Sequence, residues 1–457
     1  MKGPPTHSMS VMGSRFRLLV ALMTAATITA AAAAAADPEP TPDTLSIEDC
    51  ARTAHERSPD VLISALTWEA AHADSLAAQR NRWPAFAVFG HVTVSPSGFY
   101  DPTITNLGDY ALKAGLELPL LDGGDRSRER ARAANRAASA SIDLDRARRE
   151  AALRAASLAI TILRLREQLR AHEEAFGWLD RLTSLLQAGA RSGSRSTSEA
   201  LRTGLERDAM RITLENTRVD LSAAERELGQ LLGLGSRGAP GIREPRPSED
   251  TPPAASDSAA LLTSVERAPE VRTRMITQRD QEIALQEARR KNALRVDGSA
   301  DAGLAGADLT HLVPPDLKES NPDAGLADRL RRDRGASATV EARRPFADPR
   351  VGPTIEARRR DLEAARLALA NETETQRRAR RDLLTRWEAA ARNLVVAERS
   401  ASLATDHVIK MRSLYTAGAS SLLELLDARH VLDDALDRLS EARAQSRAAR
   451  FEAEARR

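Results

Sequence analysis

The sequence predicts a mainly α protein with a small β part, built from long helical hairpins. Three observations lead there. The chain of 457 residues states one plan twice, which marks a duplicated architecture. Aromatic residues are only 3%, while Ala, Arg, Leu and Glu dominate, a composition of long helices rather than of a compact core. Between the helical tracts stand short segments that alternate apolar and polar residues, the period of a strand with two different faces.

The N-terminus comes first. Lys2, Arg15 and Arg17 precede "LLVALMTAATITAAAAAAADPEP", a charged region, an apolar run and an Ala-rich cleavage region. We read residues 1–36 as a signal peptide cut after Ala36, with a membrane anchor as the alternative; Met9 and Met12 are alternative starts. No later segment has the ~18 apolar residues of a spanning helix, so any entry into a membrane must be made by strands. The single cysteine, Cys50, excludes an intrachain disulfide and reads as a small helical residue.

The first repeat spans 37–234. "RSPDV" (57–61) opens a helical pattern that ends at "NRWPAF" (81–86). Two strands follow within about 85–120. In "AFAVFGHVTVS" (85–95), Phe86, Val88, Gly90, Val92 and Val94 share a face. In "YALKAGLELPL" (110–120), Leu112, Ala114, Leu116 and Leu118 stand opposite Lys113, Gly115 and Glu117. That is the pattern of a barrel strand with lipid on one side and water on the other. "LELPLLDGGD" then turns strand into helix at Pro119, Asp122, Gly123 and Gly124, with Asp125 expected to cap the helix. The helix runs over about 125–187, ends at "LLQAGA" with Gly189 as the expected turn and Gly193 close behind, and returns over about 198–232. Its apolar positions Leu153, Ala156, Ile160, Leu163 and Leu169 recur at helical spacing.

Residues 235–258, rich in Pro, Gly and Ser, read as a linker. The second repeat, 259–457, begins with "RAPEV" (267–271) and ends its first helix at "KNALRV" (291–296). Its strand pair, about 295–345, is less regular: 295–307 aligns Val296, Gly298, Ala300, Ala302, Leu304 and Gly306, and 335–346 aligns Ala336, Ala338, Val340 and Ala342. A long charged loop, 308–334, lies between them. Pro345 and Asp348 repeat Pro119 and Asp122; a long helix over 352–416 ends at Gly418, and a return helix covers 420–454. Each long helix reaches roughly 90–100 Å, which implies an extended bundle or tube.

Nothing in this pattern performs catalysis. The eight histidines lack metal-ligand spacing, "LDGGD" lacks the Gly-Lys-Ser/Thr of a phosphate loop, and we assign no catalytic residue, metal or cofactor. Nucleic acid is not expected as a partner: the net charge is +2, and the arginines alternate with acids along helices. The candidate functional stretch is "LYTAGASSLLELLDA" (414–428). Glu424 and Asp427, three residues apart, share one helix face about 60° wide, with Leu422 and Leu426 roughly opposite.

The duplicated order "LSIEDCARTAHERSPDV", "RWPAF", "LELPLLDGGDRSRERARAA" and "LLQAGA…SEAL", replayed up to "LYTAGASSLLELLDARHVL", resembles the TolC-like outer-membrane efflux family over about 45–454. The resemblance implies a homotrimer: four strands per protomer in a 12-stranded transmembrane β-barrel, and helical hairpins forming an α-barrel tunnel across the periplasm. It implies an exit duct of a tripartite efflux or type I secretion system, contacting outer-membrane lipid, a periplasmic adaptor and an inner-membrane pump. Adaptor docking would fall at the tip residues Gly189, Gly193, Gly418, Ser420 and Ser421. Glu424 and Asp427 would line the pore constriction, and Ser420 stands where some relatives carry a basic residue. Outer-membrane barrels carry aromatic girdles, for which this chain offers Trp83, Phe86, Phe89, Phe99 and Tyr110, then only Phe346. Arg343 and Arg344 would have to face the lumen or the interface. The alternative is an exported periplasmic coiled-coil adaptor or scaffold, which should show one hairpin rather than two.

Overall fold

A computed structural model describes residues 44–81, 84–94, 108–234, 241–244, 261–307, 313–346 and 348–456. The expected signal peptide lies outside the described residues, as do Trp83, Phe99 and most of 235–258.

The chain opens with β1 (Thr44–Leu45), α1 (Ile47–Arg57) and α2 (Pro59–Arg80). Strands β2 (Ala85–Val94) and β3 (Gly108–Asp122) lead into α3 (Asp125–Arg191), which returns as α4 (Thr197–Leu231). A two-residue β4 (Gly241–Ile242) follows. The plan then recurs as α5 (Pro269–Arg289), β5 (Arg295–Ala307), β6 (Arg334–Arg343), α8 (Val351–Thr416) and α9 (Leu422–Ala455). The loop before β6 carries two short helices, α6 (Pro315–Ser320) and α7 (Leu326–Arg332), where sequence reading expected only a charged loop.

The long helices α3 and α8 have 67 and 66 residues, so each reaches about 100 Å. Propensity alone does not hold such a helix; it needs a packed stripe. On α3 that stripe holds Ala155, Ala156, Ala159, Ile160, Ile162 and Leu163, all at most 4% exposed. Small residues let the partner helices approach closely, so α3 packs on α1, α2, α4, α5 and α9, and α8 packs on α5 and α9. The core around Cys50, Ala54, Ile162, Leu228 and Ile242 lies midway along these helices. There β4, inside the segment read as a linker, pairs in parallel with β1, and Arg243 N–H donates to Leu45 O. Burial, with Asp49 and Glu48 adding to it, pushes the Cys50 thiol up to about 12, which leaves it an inert core side chain.

The other four strands form one antiparallel sheet in the order β2-β3-β5-β6. Their register puts Phe86, Val88 and Val92, Leu112, Ala114 and Leu116, Ala300, Ala302 and Leu304, and Ala336, Ala338 and Val340 on one face. The opposite face carries His91, Asp109, Lys113, Glu117, Asp297, Asp301, Glu341 and Arg343. On it Lys113 Nζ lies 3.2 Å from Asp301, whose other oxygen accepts from Ser337 at 2.7 Å. Arg343 pairs with Glu341 at 2.6 Å, so it stands on the polar face. Phe89, expected in an aromatic girdle, is corrected: it is on this polar face, its ring lying over Gly115. The reason is parity, since Phe89 and Phe86 are an odd number of residues apart.

Candidate functional site

Two structural sites follow from the repeats: the strand-to-helix junctions and the hairpin tips. At the first junction Gly123 and Gly124 take φ of +62° and +89°, a backbone that residues with a side chain rarely adopt. This reverses the chain after a bulge at Pro119–Leu121. The expected capping by Asp125 is corrected: Gly124 is the N-cap and Asp125 is already helical. The capping carboxylate is that of Asp122, which accepts from Gly124 N–H at 2.8 Å and Arg126 N–H at 2.9 Å. Arg126 also donates to Pro119 O.

At the second junction, past Pro345, Asp348 accepts from Arg350 N–H at 3.0 Å and lies 3.0 Å from Lys291 Nζ. The Arg350 side chain, its N–H and then Lys291 hold the Asp348 carboxyl well below the usual aspartate range. The two halves thus use the same device, a carboxylate three residues before the helix, without the glycines in the second.

At the tips, α3 and α8 end in the same motif. Gly193 N–H donates to Ala190 O and Ser194 N–H to Gly189 O. Likewise Gly418 N–H donates to Tyr415 O and Ala419 N–H to Leu414 O. These are Schellman closures, in which the glycine must be left-handed; Gly193 has φ +71° and Gly418 +73°. Gly193 therefore corresponds to Gly418, and the expected turn at Gly189 is corrected: Gly189 is inside α3 and corresponds to Leu414. The shared tripeptide Ala-Gly-Ala misaligned the two tips by four residues.

Gly189 has another use. A Cβ there would meet Arg195 Cγ at 2.7 Å. The bare backbone lets Arg195 cross the end of α3, with its guanidinium carbon 5.4 Å from the centroid of the Tyr415 ring. Burial pushes the Tyr415 phenol up, and its hydroxyl has no partner among the described residues. Sequence reading missed both residues, because their meeting depends on how the two hairpins pack. Beneath them Leu179, Leu186, Ala200, Leu422 and Leu426 form one buried cluster, with Trp178 and Met210 at its margin, so the two tips share a core.

Ser421 caps α9: its Oγ accepts from Glu424 N–H at 3.3 Å, while Glu424 Oε2 accepts from Ser421 N–H at 2.9 Å. Ser420 Oγ donates to the same oxygen at 2.6 Å. The Ser420 hydroxyl first, then Ser421, holds the Glu424 carboxyl below its usual value. Glu424 therefore has a local task that its spacing from Asp427 does not reveal. Both acids are exposed, on the face away from buried Leu422, Leu425 and Leu426.

Among the described residues no helix is long and apolar enough to cross a membrane. Residues 51–234 match the sequence profile of the outer membrane efflux protein family. No curated relative matches. A solved membrane protein from Pseudomonas aeruginosa superposes with a TM-score of 0.74 at 15% identity, covering 90% of this chain and 93% of its own. The Campylobacter jejuni CmeC outer membrane channel gives 0.73 at 13% identity, covering 90% and 85%. The outer membrane protein VceC from Vibrio cholerae gives 0.69 at 15% identity, covering 89% and 95%. The profile of the outer membrane efflux protein family thus falls on residues 51–234, and both halves of the chain share the fold of these solved proteins.

Proposed function

We propose that the protein is the outer-membrane exit duct of a tripartite efflux or type I secretion system, a passive channel rather than an enzyme. One observation carries this reading: a four-stranded sheet with a continuous apolar face and two open edges, β2 and β6, mounted on two helical hairpins about 100 Å long. Backbone groups at an open edge cannot sit in lipid. Copies of the chain joined β6 to β2 would close the sheet, and three copies would give twelve strands with the apolar face outward. The polar face, with Lys113, Glu117 and Asp301, would then line water.

In that trimer the helices stand in the periplasm, reached by export through residues 1–36. Gly193, Gly418, Ser420 and Ser421 at the tips, with Gly189 behind them, meet a periplasmic adaptor linked to an inner-membrane pump. Three copies each of Glu424 and Asp427 make two carboxylate rings at a constriction, which favour cations and resist closure by mutual repulsion.

Two measurements test the reading. Outer-membrane fractions should yield a band of trimer size on unheated gels, and the purified protein should conduct in planar bilayers. A soluble periplasmic monomer without conductance would favour the scaffold alternative.

A further inference from the structure

Midway along the bundle, α3, α5, α8 and α9 enclose a cavity of about 250 Å³. Four guanidinium groups line it: Arg146, Arg149, Arg380 and Arg456. Arg146 has Asp143 at 3.6 Å and Arg456 has Glu452 at 2.7 Å. Arg149 and Arg380 have no carboxylate partner among the described residues. Arg380 is the decisive one, because it is only 4% exposed. One nitrogen donates to Leu261 O at 2.9 Å and Ser264 Oγ at 2.8 Å; both acceptors are neutral.

A buried guanidinium outside an ion pair is costly, and the repulsion from Arg149 and Arg456 is offset only by the more distant charge of Glu270. Burial first, then those two arginines, holds the Arg380 guanidinium below its usual value. The cavity wall also includes the start of α5 at Ala268, Pro269 and Glu270. Ala268 offers no side-chain cap and Pro269 no N–H, so the first turn of a 21-residue helix faces this region with Glu270 as its one acidic residue. Glu150 and Glu270 also line the cavity, but neither forms an ion pair among the described residues.

The duplication shows that the fold does not demand this charge. Counted back from the tip glycines Gly193 and Gly418, Arg380 corresponds to Ala155. Counted from Pro59 and Pro269, Leu261 and Ser264 correspond to Ala51 and Ala54. Ala155, Ala51 and Ala54 are at most 5% exposed and sit together in one apolar core. One repeat fills the position with a methyl group, and the other places a buried cation there beside a cavity.

We propose that the cavity between α3, α5, α8 and α9 is a binding site for a small tetrahedral oxyanion, held by Arg380 and Arg149 and by the N-terminal turn of α5. The anion adds a counter-charge in direct contact with the guanidinium groups, four of which line the cavity against two carboxylates, and ties the start of the second repeat to α8 and α9. This inference does not depend on the channel reading.

The test is isothermal titration of the detergent-purified, fully assembled protein with inorganic phosphate, against chloride at matched ionic strength, together with thermal melting in both salts. The wild type should bind one phosphate per protomer and melt higher in phosphate, as any ligand of the native state requires. Arg380→Ala, which copies the first repeat, should lose both responses. Arg149→Gln, at the half-exposed margin, keeps the fold and should weaken phosphate binding roughly tenfold or more, the effect of one charge-assisted hydrogen bond. No phosphate heat in the wild type, or an undiminished response in Arg149→Gln, would overturn the proposal. Conductance in bilayers should be unchanged in both variants.

Discussion

The guanidinium of Arg195, at the tip of the first hairpin, lies 5.4 Å from the ring centroid of Tyr415, at the tip of the second. It is a cation–π contact between two hairpins whose tips also share an apolar cluster. Arg195→Ala should remove a cation held between the two tips. The contact is worth about 0.5–1 kcal/mol at such an exposed site. The expected outcome is a higher open probability in bilayer recordings with little change in melting temperature. Unchanged gating would assign the contact to packing alone.

The register of the two tips gives a second prediction. Gly193→Ala and Gly418→Ala each force a side chain into the left-handed region, costing about 1–2 kcal/mol. Gly189→Ala leaves the turn intact, and by pushing Arg195 aside should mimic Arg195→Ala in conductance. If Gly189→Ala were the more destabilising of the three, the assignment of Gly193 as the counterpart of Gly418 would be wrong.

Glu424 and Asp427 can be separated. Ser421→Ala removes the cap of α9 and should cost about 1 kcal/mol without changing the charge of either acid. Glu424→Ala with Asp427→Ala removes both candidate rings, and should lower cation selectivity and cation block. The double variant conducting and being blocked like the wild type would sink the ring assignment. The pH dependence has a definite sign. The folded Glu424 carboxyl is held below its usual value, so its contribution to the tip is fully present above the ordinary glutamate range. It is lost as pH falls through the lowered value, and fraying of the α9 start, followed by hydrogen exchange, should appear only in acid.

On the sheet, face decides the outcome. Leu112 is exposed on the apolar face and Lys113 stands on the polar one. Leu112→Arg should cost about 2–4 kcal/mol of membrane stability if it lies near mid-bilayer, whereas Lys113→Ala should insert normally. Gly303→Ala should fail for a different reason: its Cβ would run into the Leu112 carbonyl oxygen, with Lys113 Cα at 2.6 Å, so β3 and β5 could not keep their spacing. Heat-modified gel shift of folded barrels reads all three.

Deeper in the bundle, Arg429 lies 2.7 Å from Asp433 on α9, with both side chains at most 15% exposed. Burial pushes the Asp433 carboxyl up despite that partner. Arg429→Leu should cost about 3 kcal/mol at neutral pH, because it leaves a buried carboxylate unpaired. As the group's pKa is raised, the loss should shrink on acidification, when Asp433 takes up a proton. A loss independent of pH would show that packing of Arg429 over Trp178, 5.9 Å away, is the larger contribution.

The sequence by itself determined what depends on local periodicity and on repetition. Helical spacing gave α3 and α8 their extent, and period-two alternation gave each strand its apolar face, including the irregular β5 and β6. The acid at each junction and the glycine after α8 were visible as punctuation. Tertiary structure decided everything that needs two distant segments in one place. It set the tip register at Gly193, because the hydrogen-bond closure and the sign of φ, not the Ala-Gly-Ala string, define the turn. It made Asp122 rather than Asp125 the cap, because the cap is set by where the backbone leaves the strand. It put Arg195 on Tyr415, and it left Arg380 buried where the first repeat has Ala155. Such contacts join residues far apart along the chain, and no local pattern of side chains encodes how two 100 Å hairpins lie against each other.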